Sequence, residues 1–191
     1  MPGTAGWVEY RDPRYGYGLA LPCYWTVTPT PMEGTFATMS ARSYSDEFFA
    51  AHSDRGVWTG DAWPAGAYKL DAVIFEGIDP SLSMQDAIHY TYATYSNEQE
   101  LVSVEEKTYD RHLGYIATVQ GGPQGGETLR VVYFAIGPDA LLSLVFYPEA
   151  AQDEPDLQAM LGSFASALDE PVAFPAQAPS GPPDGSAIAC Q

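Results

Sequence analysis

The stretch from residue 101 to residue 147 constrains the fold of this chain most strongly. It holds four strand-like segments that follow one another without a helix between them, at 101–109, 113–120, 128–136 and 141–147. Glycine-rich turns at Gly121–Gly126 and Gly137–Asp139 separate the last three segments, and glycine supplies the backbone freedom that such turns need. Strands joined this closely run antiparallel, because a parallel connection needs a long crossover. The stretch therefore predicts an antiparallel meander, with segment 141–147, which carries apolar residues on both faces, in mid-sheet.

Two amphipathic helices are expected to lie across this sheet. In the first, Ser83 precedes Asp86 by three positions, which is the signature of a helix cap. Its apolar residues recur at helical spacing: Met84, Ala87, Ile88, Tyr92 and Tyr95. The second opens at Pro155, where proline is tolerated. Its apolar stripe is Leu157, Met160, Leu161, Phe164 and Leu168. We predict an α+β fold in which an antiparallel β-sheet is flanked by helices at 83–95 and 155–168.

The N-terminal half carries shorter strand patterns and one short helix. Strand-like segments are found at 7–10, 15–22, 25–28, 35–40 and 68–76. Segment 15–22 alternates large and small residues, which is typical of a half-buried strand, and 68–76 is expected in the centre of the sheet. Ser45, followed by two acidic residues, predicts a short helix. The rest of 41–66 is interrupted by glycine and proline and is expected to be irregular.

The acidity of the chain excludes some partner classes. It has 25 acidic and 8 basic residues, a net charge of −17, and its only lysines are Lys69 and Lys107. Nucleic-acid binders use clustered Lys and Arg, so no nucleic acid is expected as a partner. No apolar run is long enough to predict a membrane span. A protein with a basic patch, a cation or a small polar ligand is compatible with this charge, although acidity also serves solubility alone.

The two cysteines, Cys23 and Cys190, are expected to form one disulfide in an oxidising compartment. Closing so long a loop has a calculated chain-entropy benefit of at most about 5 kcal/mol. Two unrelated free thiols are the alternative. The start of the chain, Met1–Thr4, lacks the regions of a signal peptide, so the protein is either cytosolic or has lost a signal. The cysteines favour an extracytoplasmic protein, secreted or in the cell envelope, and a lipid anchor outside this chain is compatible with that prediction.

The C-terminal residues differ in composition from the rest. From residue 171 to residue 191 proline and glycine are frequent, and proline cannot continue a helix. We predict one domain over residues 1–170. Residues 171–191 are predicted to be an extended tail that wraps over the domain and is tied back by Cys190.

No catalytic signature is found in the sequence. It has no Gly-x-Ser-x-Gly, no phosphate loop or dinucleotide fingerprint, and no Cys-x-x-Cys or His-Glu-x-x-His. His52, His89 and His112 are isolated from one another, and the acidic residues from Glu98 to Glu106 are expected on a solvated face rather than around calcium. We predict no catalytic residue, no metal and no cofactor, and we favour a non-enzymatic protein.

The aromatic residues supply the candidate binding residues. The chain has 13 Tyr and 4 Trp, types whose apolar ring and polar edge suit binding surfaces. Trp7 and Trp25 lie on or near strands and are expected in the core. The residues predicted to bind a ligand or partner are Trp58, Trp63, Tyr68 and Tyr90. The alternative for the two loop tryptophans, Trp58 and Trp63, is that they cover the edge of the sheet.

The order of these elements resembles a known family. The residues that carry the resemblance are Tyr17–Pro22 with Trp25, Asp71–Glu76 followed by Ser81 and Leu82, Gly114–Ala117, Tyr133–Ala135 and Leu142–Phe146. From about residue 7 to residue 168 the chain resembles PsbP-like domains, the superfamily of the photosystem II extrinsic protein P and a Ran-binding import factor, in its bacterial secreted or lipoprotein type.

The resemblance implies an α/β/α sandwich and says little about function, because such domains share a scaffold and bind different partners. No residue that binds photosystem II or Ran can be transferred, since no matching motif is present. The loop at 41–66 and the tail after residue 168 fall outside the resemblance.

Two functional hypotheses follow from the sequence. The first is a non-enzymatic extracytoplasmic binding or scaffold domain with an unknown protein partner, for which a flat, filled sheet face is expected. The second is a receptor for a small ligand or carbohydrate, or a hydrolase, with a cleft between the 41–66 loop and the sheet. A pocket joining Trp58 or Trp63 to two carboxylates would favour the second. A self-associating envelope protein is a third, weaker idea.

Overall fold

The structure, a computed structural model, describes residues 6–29, 37–53, 63–95, 99–121, 128–148, 151, 153–167 and 169–185. The strands in this part are β1 (Trp7–Arg11), β2 (Gly18–Pro22), β3 (Thr26–Pro29), β4 (Ala37–Arg42), β5 (Lys69–Glu76), β6 (Glu100–Tyr109), β7 (His112–Gln120), β8 (Thr128–Ala135) and β9 (Ala140–Tyr147). The helices are α1 (Asp46–His52), α2 (Met84–Tyr95) and α3 (Pro155–Gly162). None of the helices in the described ranges combines the length and the apolar character needed to cross a bilayer.

The strands form one large antiparallel sheet and one hairpin. The large sheet has seven strands in the order β3-β4-β5-β9-β8-β7-β6, and β1 pairs with β2 separately. Every strand pair of the large sheet is antiparallel. The meander over β6–β9 and the mid-sheet position of β9, between β5 and β8, are therefore confirmed.

The two faces of the large sheet bury different clusters, because successive side chains of a strand point to opposite faces. Phe134 packs in one cluster with Leu161 of α3, whereas its neighbour Tyr133 packs in the other with Ile88 of α2. We call these two sides the α3 face and the α2 face. The β1–β2 hairpin also packs on the α3 face. The fold is thus the α+β sandwich that the sequence predicts.

The predicted caps of α1 and α2 are confirmed. The Ser45 hydroxyl accepts a hydrogen bond from the Phe48 N–H at 3.1 Å. The Ser83 hydroxyl accepts from the Asp86 N–H at 3.1 Å and donates to the Asp86 carboxylate at 2.6 Å. Each serine satisfies a backbone N–H that has no partner within its helix, which is why the helices begin there.

Helix α3 ends at Gly162, so the prediction that it continues to residue 168 was wrong. The buried Ser163 hydroxyl donates to the Met160 carbonyl at 2.5 Å and accepts from the Ala20 N–H of β2 at 2.7 Å. Ala165 then exchanges two backbone hydrogen bonds with Gly18, at 2.8 and 3.0 Å. Strand β2 therefore offers the chain an extended pairing that competes with another helical turn.

This early end changes the position of Phe164, one of the predicted stripe residues. Phe164 is buried, with 1% exposure, but it reaches the core from beyond the helix. Leu168, the last predicted stripe residue, lies outside the described residues. Strand β2, which was expected to be half-buried, is buried along its whole length.

Strand β6 departs from the alternation that its sequence suggests. The register between β6 and β7 shifts between Leu101 and Ser103, which indicates a bulge at Val102. Val102 is therefore 57% exposed, whereas Val104 packs against the α2-face cluster.

Residues 171–185 form neither helix nor strand and lie along the hairpin and α3. The buried Trp7 indole N–H donates to the Gln177 carbonyl at 2.6 Å, and the Ser180 N–H donates to the Asp156 carboxylate at 2.7 Å. Val172 is buried in the α3-face cluster. Cys190 lies outside the described residues, so its pairing with Cys23 stays a prediction.

Candidate binding cleft

The four predicted binding residues do not form one site in the part of the chain that the structure describes. Trp58 lies outside that part. Trp63 is half-buried and stacks on Tyr147 with 6.3 Å between ring centroids. Tyr68 packs against the α3-face cluster, and Tyr90 is 46% exposed on the outer side of α2. Their roles in binding remain predictions.

A cleft of about 140 Å³ opens on the α2 face of the large sheet. Helix α2 packs over β6 and β7, and its last turns form one wall of the cleft. The apolar lining comes from β5, β7, β8 and β9: Val73, Val119, Leu129, Val131 and Val145. The aromatic and polar lining includes Phe75, Thr91, Tyr92, Tyr133, Ser143 and Tyr147.

Strand register explains why a depression forms here. Val73 pairs with Ser143, and Val145 pairs with Val131, so short side chains of adjacent strands lie side by side on one face. Ser143 is also paired with Tyr133, whose ring rises beside it. Short residues surrounded by rings leave a space above the sheet that the neighbouring side chains do not fill. The α2 face is therefore not the flat, filled face that the first functional hypothesis led us to expect.

The aromatic walls hold one another in place. Tyr133 lies 6.4 Å from Tyr92 in an edge-on arrangement and 6.5 Å from Phe75, measured between ring centroids. Burial is the main cause that raises the pKa of Tyr133 well above its usual range, and burial also raises the pKa of Tyr92. Both phenols are therefore neutral at physiological pH, which suits hydrogen bonding rather than proton transfer.

Charged side chains lie beside the cleft, but none is among the lining residues that the structure describes. The Lys69 ammonium lies 5.4 Å from the centroid of the Tyr147 ring and 2.7 Å from the Asp71 carboxylate. Trp63 stacks on Tyr147, which lines the cleft, and so contacts the cleft only indirectly. The predicted loop residue is thus a neighbour of the cleft and not a part of its described lining.

A second opening lies at the 41–66 loop, where the alternative hypothesis places a cleft. It measures about 320 Å³, and its lining includes Tyr24, Tyr44, Phe48 and Asp184. Asp184 is the one carboxylate in the described lining, which contains neither Trp58 nor Trp63. The described lining therefore does not supply the tryptophan and paired carboxylates that would favour a carbohydrate site.

No group of three or more His, Cys, Asp or Glu side chains suited to a metal occurs within the described ranges. The His52 ring stacks on Phe48 at 4.1 Å, and its Nδ1 lies 2.9 Å from the Phe48 carbonyl oxygen. His89 is exposed on α2.

His112 takes part in a polar network around Glu170. One carboxylate oxygen of Glu170 lies 2.8 Å from His112 Nε2, and the other accepts from the Ser166 N–H at 2.6 Å and hydroxyl at 2.9 Å. The serine therefore donates to the carboxylate, whereas an activated nucleophile would donate to a base such as histidine. Arg111 also contacts Glu170 and donates to the Pro171 carbonyl. The network fastens the segment after α3 to the β6–β7 turn.

We expect Glu170→Gln to lower the free energy of unfolding by about 1–2 kcal/mol at neutral pH, through loss of charge-assisted hydrogen bonds. Burial raises the pKa of Glu170, but the bonds from Ser166 and the contact with His112 outweigh it and hold the pKa below 4.5. Because the pKa of Glu170 is lower in the folded protein than in the unfolded chain, the ionised carboxylate stabilises the fold at any pH above the unfolded-state pKa. This stabilisation is lost as the pH falls through the folded-state pKa.

Urea denaturation at a series of pH values checks this expectation. The difference between Glu170→Gln and the wild type should be constant above about pH 5 and should shrink in more acidic buffer. A difference that persisted unchanged into strong acid would contradict an ionic role for Glu170. Glu47→Gln, at an exposed position in the first turn of α1, is the matched control.

The residues that line the cleft were not among those predicted from sequence. Tyr92 was expected only as part of the packed stripe of α2, and Val73 and Val145 only as strand residues. The sequence does hold one sign of the cleft. The odd-numbered residues of β8 and β9, which share one face of the sheet, include the short Val131, Ser143 and Val145 as well as the aromatic Tyr133. The cleft also depends on pairing between strands about 70 residues apart, which no local pattern gives.

Comparison with known proteins shows the fold. No family model matches the sequence, and no curated protein matches it. The solution structure of cyanobacterial PsbP (CyanoP) from Synechocystis sp. PCC 6803 matches with a TM-score of 0.50 and 15% identity, over 85% of this chain and 94% of that one. The protein thus has a PsbP-like fold.

The crystal structure of PA94, a protein of unknown function from Pseudomonas aeruginosa, aligns with a TM-score of only 0.33 and 12% identity. The alignment covers 78% of this chain and 89% of that one.

Proposed function

We propose that this protein is a non-enzymatic, extracytoplasmic binding domain that binds a protein partner through the cleft on the α2 face. The observation that carries the proposal is the size and lining of that cleft. It holds about 140 Å³ between neutral side chains. Pockets for small-molecule ligands usually measure roughly 300–1,000 Å³. A cavity of about 150 Å³ accepts one benzene-sized group. One protruding side chain of a protein fits, and buried anchors of this kind dominate many protein interfaces.

The chemistry of the lining also favours binding over catalysis. The described lining includes hydroxyl groups, but the phenols of Tyr92 and Tyr133 are held neutral, and none of the lining residues that the structure describes is charged. General acid–base catalysis needs a group that changes protonation near the working pH. The cleft offers apolar contact and hydrogen bonds, which are what an interface needs.

The PsbP-like fold is compatible with a binding or scaffold role, because a fold does not fix a function and the role must be argued from the site. For location, we propose an oxidising compartment and a bacterial secreted or lipoprotein type. The support is the cysteine pair predicted from the sequence and the lack of a free cysteine within the described ranges. We also propose that residues 1–170 are one domain and 171–191 its tail, supported by the contacts of Trp7 and Ser180 described above.

A thiol titration tests the proposed compartment. We expect no thiol to react in the unfolded, unreduced protein and two to react after reduction, because Cys23 and Cys190 are the only cysteines. Two reactive thiols before reduction would contradict the disulfide and remove the main support for an oxidising compartment.

Capture of the partner with a blocked cleft tests the proposed function. In Val145→Trp an indole replaces a half-buried valine of the lining and fills the cleft. The matched control is Val102→Trp, at an exposed position on the bulge of β6. Each variant is immobilised and cross-linked in an envelope extract of the source organism.

A protein retained by the wild type and by Val102→Trp, but lost with Val145→Trp, is the expected result. Retention of the same proteins by all three would overturn the proposed use of the cleft.

A further inference from the structure

We infer that the cleft takes an uncharged aromatic side chain that the partner carries on a basic segment. The inference rests on the proposed function and adds the chemistry of the partner. It combines two properties of the molecule, namely the neutral, ring-walled lining of the cleft and the strongly negative charge of the protein around it.

The lining excludes a charged anchor. A charged side chain pushed between Val73, Val131 and Val145 would lose its hydration without gaining a counter-ion, because the described part of the lining holds no charged residue. Burying an unpaired charge is among the most costly events in recognition. The group that enters must therefore be neutral.

The walls favour an aromatic group over an aliphatic one. Phe75, Tyr92, Tyr133 and Tyr147 line the cleft with aromatic rings. Edge-on and offset ring pairs attract each other beyond the effect of the area that they bury. The cleft volume of about 140 Å³ is sufficient for one ring. Hydroxyl groups such as those of Thr91 and Ser143 lie along the same lining, so a tyrosine with its own hydroxyl suits the cleft well.

The charge of the chain favours a basic segment around that ring. Lys69, whose ammonium lies beside Tyr147, is paired with Asp71 at 2.7 Å, and Arg42, its register partner in β4, is paired with Asp46 at 2.6 Å. An approaching partner therefore meets the field of a chain with net charge −17, and the ammonium beside Tyr147 is already compensated. Complementary charge speeds association and disfavours acidic partners.

Three capped peptides separate these two requirements. The first is Lys-Lys-Tyr-Lys-Lys, the second replaces tyrosine by alanine, and the third replaces every lysine by glutamate. Dissociation constants are measured by NMR titration for the wild type, Val145→Trp and Val102→Trp. The basic tyrosine peptide should bind the wild type and Val102→Trp about tenfold or more tighter than either other peptide, which corresponds to about 1.4 kcal/mol. Its affinity should fall as salt is raised.

Val145→Trp should lose this preference and bind the tyrosine and alanine peptides alike. Its melting temperature is measured first, and if it does not fold, Val73→Phe blocks the cleft from the neighbouring strand. Equal binding of the tyrosine and alanine peptides by the wild type would overturn the aromatic anchor. Equal or tighter binding of the glutamate peptide would overturn the basic segment.

The peptides and the capture experiment fail in distinguishable ways. If the peptides show no preference while Val145→Trp still loses the captured protein, the cleft binds a partner and the inferred anchor is wrong. If Val145→Trp captures the same proteins as the wild type, the proposed function itself is wrong.

Discussion

Phe164→Ala should lower the free energy of unfolding by about 3–5 kcal/mol, the range for a fully buried phenylalanine. The Phe164 ring is 1% exposed and stacks on Phe134 with 4.0 Å between centroids and 14° between planes. Its edge also meets the His112 ring at 5.0 Å. Because Phe164 follows the end of α3, the substitution tests whether the segment after the helix belongs to the core.

Urea denaturation measures this loss, with Tyr90→Ala as the control. Tyr90 is 46% exposed on α2, so its truncation should change stability by no more than about 0.5 kcal/mol. If Phe164→Ala cost less than about 1 kcal/mol, the ring would not fill the core, and the pairing that ends α3 early would lose its support.

The protein should unfold cooperatively as pH is raised from about 10 to 12, because several tyrosines are buried as neutral phenols. Burial is the main cause that raises the pKa of Tyr10, Tyr68 and Tyr109 from 10 to about 12. At a pH below about 10, the pKa of a tyrosine in the unfolded chain, these phenols are neutral in both states and stability is unaffected. At a higher pH the phenols of the unfolded chain ionise first, so the free energy of unfolding falls until the pH reaches the pKa of the folded state.

The size of the effect follows from the shifts. Two pKa units correspond to about 2.7 kcal/mol for the buried Tyr109. Tyr10 and Tyr68 are only partly buried, so solvent screening reduces their contributions and the three together stay below roughly 8 kcal/mol. Even half of that approaches the 5–15 kcal/mol that stabilises an ordinary domain. Circular dichroism should report loss of structure at the same pH at which phenolate absorbance rises.

Tyr109→Phe provides the matched variant for the alkaline transition. The Tyr109 hydroxyl is buried and has no hydrogen-bond partner within the described ranges, so its removal should leave stability at neutral pH nearly unchanged. The variant should lose up to about 2.7 kcal/mol less than the wild type between pH 10 and 12. Exposed phenols such as Tyr90 titrate near pH 10 in any case, so titration of all the phenols near pH 10 while the fold persists is the outcome that would contradict the burial of Tyr109.

Patterns that act over a few residues predicted most of the elements. The caps at Ser45 and Ser83, the stripe through Ile88 and the apolar run of β9 each depend on neighbours in sequence, and each is present in the structure. A cap or a stripe is visible in sequence because the interaction that stabilises it is local.

The departures arise where distant segments compete with local preference. Helix α3 ends early because Ser163 and Ala165 bond to β2, more than 140 residues away. The exposure of Val102 follows from a bulge that only the pairing with β7 creates. Local patterns carry no information about such pairings.

The cleft could not be predicted for the same reason. Its floor forms when Val73 lies beside Ser143, and Val131 beside Val145. Trp63 was a reasonable candidate as an aromatic loop residue, but its contact with Tyr147 depends on where the loop returns to the sheet. The sequence shows which residue types are suited to binding, whereas the register between strands determines which of these side chains lie next to one another.

Methyl NMR of the valine- and leucine-labelled protein with its captured partner tests the use of the cleft most directly. Binding should shift the methyl signals of Val73, Val131 and Val145 and leave those of Leu157 and Leu161, on the opposite face, unchanged. Shifts confined to the two leucines, with the three valines unaffected, would show that the partner docks elsewhere and would contradict the proposed function.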